Sequence, residues 1–174
     1  MVVVLISSCS INNSHLKDNL HNSYQGEFQK NIDDFISNGF QGEFGRTLDE
    51  IKMNFGVPQK IETRDFQNYH SKKNDQIFSI NYPGLYLQFY WIREEERGFV
   101  FHIIAKSNDY KYSHNVRIGV LRKTILNIFG PVVENNSNEL LYFDSVMEMS
   151  PENSVSFHFK KDVLQSIEWR FAID

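Results

Sequence analysis

Six histidines, three consecutive glutamates and one cysteine are the residues here with the most chemistry open to them. His15 and His21 fall in a polar N-terminal stretch, His70 and His114 in loop-like segments, and His102 and His158 in runs of β character. A structural or catalytic metal needs ligands brought to chelating distance by a short fixed spacing, as in HExxH or paired cysteines. No such spacing occurs, and a lone Cys9 supplies no thiolate cluster. No metal and no other cofactor is expected. Glu94, Glu95 and Glu96, flanked by Arg93 and Arg97, form a charged turn. An acid–base pair needs partial burial to separate its pKa values, so a solvated loop is the better reading. Nucleophile-elbow, phosphate-loop and dinucleotide motifs are absent from the sequence. No catalytic residue is expected; a hydrolase built from scattered residues is the third reading, behind two binding readings.

Cys9 has other chemistry available. The chain opens MVVVLISSCS, apolar from Val2 to Ile6, then small, then cysteine, then polar. Ile6-Ser7-Ser8-Cys9 resembles the lipobox of bacterial lipoproteins, which implies diacylation of Cys9 and attachment to a membrane. The apolar run is shorter than the about 7–15 residues of a signal core and no Lys or Arg precedes it. Residues 1–9 therefore read as a truncated lipoprotein signal, with an N-terminal β-strand of a cytoplasmic protein as the alternative. A polar stretch lacking apolar periodicity, residues 10–26, follows as a tether, which favours the anchored reading.

A length of 174 residues suits one domain or two small lobes, and 15 phenylalanines give it the material for a core. The formal charge of −4 provides no field to draw in phosphate backbones, so nucleic acid is not an expected partner.

Apolar spacing organises the rest. Phe28, Ile32, Phe35 and Ile36 predict a helix over 27–38. Next, GRTLDEIKMNFGVP predicts a short helix with Thr47 and Glu50 as a capping box, a Leu48, Ile51 and Phe55 stripe, and Gly56 and Pro58 as its stop. The runs KIETRDFQNY, QIFSINY, LYLQFYWI and GFVFHIIA, parted by turn residues, predict four antiparallel strands. Then the order restarts: Gly45, Ile51, Phe55 and Gly56 recur as Gly119, Ile125, Phe129 and Gly130, each 74 residues further on and each followed by a proline. VVENN, ELLYFDSV, SVSFHFK and VLQSIEWRFAI predict a second set of strands. Leu121 stands where Thr47 stood, and only SHNVRI precedes Gly119, so the second helix pair should be shorter or less regular.

A Gly-x5-Ile-x3-Phe-Gly helix with a following proline, leading into a meander of aromatic strands, resembles two related groups of bacterial exported proteins. These are the outer-membrane assembly lipoproteins of the SmpA/OmlA/BamE type and the tandem-repeat β-lactamase inhibitor protein (BLIP). The resemblance covers residues 27–174 and implies an α+β fold of two helix-pair-plus-antiparallel-sheet repeats, 27–106 and 107–174, and binding rather than catalysis. That inhibitor carries disulfides, which Cys9 alone cannot form, so no inhibitory residues carry over.

Strand alternation then sorts the faces. Leu85, Leu87, Phe89 and Trp91 share one face with Ile167, Trp169, Phe171 and Ile173 and should lie under the helices. Tyr86, Gln88, Tyr90 and Ile92, with Ser166, Glu168, Arg170 and Ala172, are left on the open side. The candidate binding residues are Tyr86, Tyr90, His102, His158, Lys160, Glu168 and Arg170, a mixture suited either to protein recognition or to a plain solvated face. The expected function is a non-catalytic envelope lipoprotein that binds or scaffolds a protein partner, attached to the membrane through Cys9. The alternative is an inhibitor or immunity-type protein that blocks a partner enzyme, in the cytoplasm if the lipobox is false.

Overall fold

The computed structural model describes residues 13–68, 72–132, 135–136, 138–145 and 153–173, with side chains from residue 26 onward except 135–136. Cys9, its lipobox and His70 lie outside the described residues, and of His15 and His21 only the helical backbone is described.

Helix α1 spans Asn13–Asn38. Its C-terminal half buries Ile32, Phe35 and Ile36, at the spacing that the sequence showed, and Gly39 ends it with an N–H donated to the Phe35 carbonyl at 2.8 Å. The helix starts earlier than the expected residue 27 and includes most of the stretch read as a tether. In the sequence Leu16, Leu20 and Tyr24 continue the spacing of Phe28 and Ile32 backward in steps of four, with no proline among them, a helical signal that the tether reading passed over. No helix among the described residues is long and apolar enough to cross a membrane.

Helix α2 is Leu48–Phe55, and the Thr47 hydroxyl accepts the Glu50 N–H at 3.2 Å. The returning Glu50 carboxylate accepts from the N–H of Arg46, one residue upstream of the usual capping-box donor. Helix α3 is Arg122–Phe129, the same length as α2 but without a side-chain cap, since Leu121 has no oxygen to offer. In place of a companion helix at SHNVRI, the chain turns through His114 and Asn115, both at positive φ. Gly56 and Gly130 close α2 and α3 at φ 82° and 78°, each donating its N–H four residues back.

The strands are β1 Lys60–Gln67, β2 Asn74–Tyr82, β3 Leu85–Ile92, β4 Arg97–Ala105, β5 Asn135–Asn136, β6 Glu139–Phe143, β7 Ser154–Lys160 and β8 Val163–Arg170. They form a single antiparallel sheet in the order β1-β2-β3-β4-β8-β7-β6-β5, seven longer strands and the two-residue β5. Each set of four is a meander, and the seam between them pairs β4 with β8, Ile103 opposite Trp169. The fold is thus α+β.

One face of the sheet carries the core. Leu85, Leu87 and Phe89 of β3, Ile103 of β4, Phe157 of β7 and Ile167 and Trp169 of β8 are all buried there with Ile51 and Ile125 of the short helices. Phe35 of α1 is its centre, its ring within 5.0–5.5 Å of the rings of Phe129, Phe157 and Trp169. The Trp169 indole N–H satisfies the Phe35 carbonyl at 3.1 Å, so the helix end and the seam strand are joined by a hydrogen bond as well as by contact. An eight-residue helix is not stable alone; α2 and α3 persist because each sets a buried isoleucine and a phenylalanine against this face.

Candidate functional site

The opposite face of the sheet carries a connected polar row. Register explains it. His102 stands opposite Arg170 across the seam, and Ser156 stands opposite Glu168 on the other side of β8. Glu168 is therefore diagonal both to His102 on β4 and to His158 on β7, within reach of long side chains.

The carboxylate of Glu168 takes the Nε2 of His102 at 2.7 Å and the Nε of Arg170 at 2.7 Å on one oxygen, and the Nε2 of His158 at 3.1 Å on the other. Its side chain is only 11% exposed, while that of Arg170 is 69% exposed. The hydrogen bonds from His102 and then His158, assisted by Arg170, outweigh the cost of burial and hold the Glu168 carboxyl well below the usual carboxylate range. Glu168 is a buried anion fixed from three sides.

The row extends both ways. Nδ1 of His102 lies 3.4 Å from the Gln88 side-chain oxygen on β3, and the Tyr86 hydroxyl donates to Ser79 Oγ on β2 at 3.2 Å. The Tyr86 ring meets the His102 ring edge-to-face at 5.8 Å. Beyond His158, its Nδ1 is 4.0 Å from Glu139 on β6. Side chains of six neighbouring strands, β2, β3, β4, β8, β7 and β6, are thereby placed in line across the seam.

Five of the seven candidate residues, Tyr86, His102, His158, Glu168 and Arg170, belong to this row. Tyr90 does not. It is 3% exposed and donates its hydroxyl to the buried Asp75 at 2.6 Å, between the rings of Phe66 and Phe99. Alternation puts Tyr90 on the open side, but neighbouring side chains from β1, β2 and β4 close over it, and burial followed by the Asp75 bond pushes its hydroxyl pKa up. Lys160 stands exposed at the end of β7, next to a turn in which Lys161 and Asp162 have positive φ, and away from the row. Alternation along β7 continues through it, since the register shift beside His158 is taken up by Gln165 of β8; Lys160 is set apart by its place at the strand end.

Sequence reasoning passed over Ser79, Glu139 and Asp75. Only the pairing of β6 with β7, Glu139 opposite His158, brings Glu139 near the row, and a register of that kind has no signature in a single strand. Among the described residues no group of three or more His, Cys, Asp or Glu is arranged to hold a metal ion. Where the row comes nearest to one, a guanidinium already occupies the Glu168 oxygen that a cation would need. Both histidine Nε2 atoms are taken up by the same carboxylate. What the arrangement offers is donors and aromatic edges in fixed positions.

Comparison with known proteins gives no match, whether against family models, curated proteins or solved structures.

Proposed function

We propose that the chain is a non-catalytic envelope lipoprotein, anchored through an acylated Cys9, that binds or scaffolds a protein partner through the open face of its sheet. The polar row across six strands carries this reading. A face that only had to stay hydrated would gain little from a buried glutamate that orients two histidines and an arginine. A recognition face gains preorganisation: Arg170 is held by Glu168 yet remains exposed, so less side-chain entropy is lost on contact.

A duplicated BLIP-like module is part of the proposal. Supporting it, α2 and α3 have equal length, equal spacing from their glycine stops and equivalent positions ahead of a four-stranded meander. Gly45 and Gly119 match as well, at φ 76° and 96°. The residues without helix cover would then be the ones that meet the partner.

Site-specific photo-crosslinking in cells tests the open face. A photoreactive phenylalanine in place of Tyr86 should give discrete protein adducts, and one in place of Met53, exposed on α2, should not. Adducts from Met53 with none from Tyr86 would end this reading. The anchor is tested separately, since radioactive palmitate should label the chain and Cys9→Ser should abolish the label. A wild-type chain that takes no label argues for the cytoplasmic alternative.

A further inference from the structure

We infer that β1 is a self-association edge, through which two copies of the chain join antiparallel about Thr63 into one continuous sheet. The far end of the sheet is the two-residue β5, but the near end is the eight-residue β1, paired to β2 without a single register shift. Its outer row of backbone N–H and C=O groups meets no other strand among the described residues. The strand has no proline and no bulge, and of the usual means of closing an edge it has charged side chains alone.

Its charges, taken with its length, favour one self-pairing. Lys60, Glu62, Arg64 and Phe66 face the open side, opposite Asn81, Ser79, Ile77 and Asp75 of β2. A two-fold axis perpendicular to the sheet keeps faces matched, so the axis must pass through a residue. Centred on Glu62, the pairing sets Glu62 against Glu62 and Lys60 against Arg64; centred on Arg64, it sets Arg64 against Arg64. Centred on Thr63, it sets Glu62 of each copy opposite Arg64 of the other, twice, with Thr63 against Thr63 on the axis and Lys60 alongside Phe66. Opposite charges directly across a sheet favour pairing and like charges oppose it. Among the described residues Glu62 is paired with Lys60, both well exposed, a weak contact that leaves room for the new one. Centred on Ile61, the pairing would set Lys60 opposite Glu62 twice but overlap only residues 60–62 of the strand, so charge and length of overlap together favour the Thr63 register.

Sedimentation of the full chain carrying Cys9→Ser tests the inference without any partner. The chain should sediment as a concentration-dependent dimer. Glu62→Arg or Arg64→Glu alone should weaken association by at least about tenfold, and the double exchange should restore it, since two attractive pairs become two repulsive ones and then revert. All these side chains are exposed, and circular dichroism checks that each variant is folded. In the same background Thr63→Cys should form an intermolecular disulfide readily and Asp65→Cys should not. A monomer at all concentrations up to about 1 mM, single exchanges without effect, or equal crosslinking at both positions would overturn it.

Discussion

At the scale of single residues, Glu168 is the side chain on which the open face depends. Replacing it with Gln keeps the shape but removes the charge that His102, His158 and Arg170 share. The loss should be about 1–3 kcal/mol at pH 7, in the range for hydrogen bonds to a charged group. Its pH dependence has a definite sign. A carboxyl whose folded pKa lies below its unfolded value of about 4.3 stabilises the fold above that value, and the benefit disappears as pH falls through the folded value. Urea unfolding of wild type and Glu168→Gln should therefore differ at pH 7 and converge as the pH is lowered below about 4. Equal stability at pH 7 would mean that the network is not formed in solution. Tyr90 illustrates the limit of alternation as a guide, because the face it belongs to was readable, whereas the neighbours that bury it were not.

At the scale of elements, α2 and α3 form a natural experiment in helix termination. Gly56 and Gly130 have nearly the same φ, but a Cβ on Gly56 would meet nothing within 4 Å, while one on Gly130 would lie 2.6 Å from the Phe28 ring. Gly56→Ala should cost about 1 kcal/mol, from backbone strain alone. Gly130→Ala should cost clearly more, about 2–4 kcal/mol, with the clash added. Thermal melts of the pair measure the difference, and equal losses would count against the described docking of α1 on α3. The N-terminal ends differ in the opposite sense. Leu121 has the extended backbone of an N-cap, is 44% exposed and offers no acceptor, so Leu121→Ser should stabilise the protein by about 0.5–1 kcal/mol. Thr47→Ala should destabilise it by a similar amount.

At the scale of the whole molecule, the two meanders share one core. Phe35 touches α3, β7 and β8 at once, and Phe40 lies within 6.2 Å of the rings of Phe44, Phe55, Tyr110, Tyr112 and Trp169. No half can lose its packing without exposing the other's. Unfolding should be a single transition, with tryptophan fluorescence and far-ultraviolet circular dichroism giving coincident midpoints. Two separated transitions would show the halves to be independent, contrary to the seam.

The sequence by itself determined the elements: strand limits mostly to within a few residues, the Thr47 cap, both glycine stops and the side of β3 and β8 that lies under the helices. These follow from local rules, namely periods of 2 and 3.6 residues and the conformations that Gly, Pro and Thr favour. The reading of residues 10–26 as tether missed the start of α1, passing over Leu16, Leu20 and Tyr24 in steps of four ahead of Phe28, and the candidate contacts included Tyr90, which is buried, and Lys160, which stands apart from the row. Only the tertiary structure decided that β4 pairs with β8, in the register that sets Glu168 between His102 and His158. Those three residues are separated by 66 and 10 positions along the chain. Their meeting depends on which strands become neighbours and at what offset, a property of the assembled sheet that no local pattern encodes.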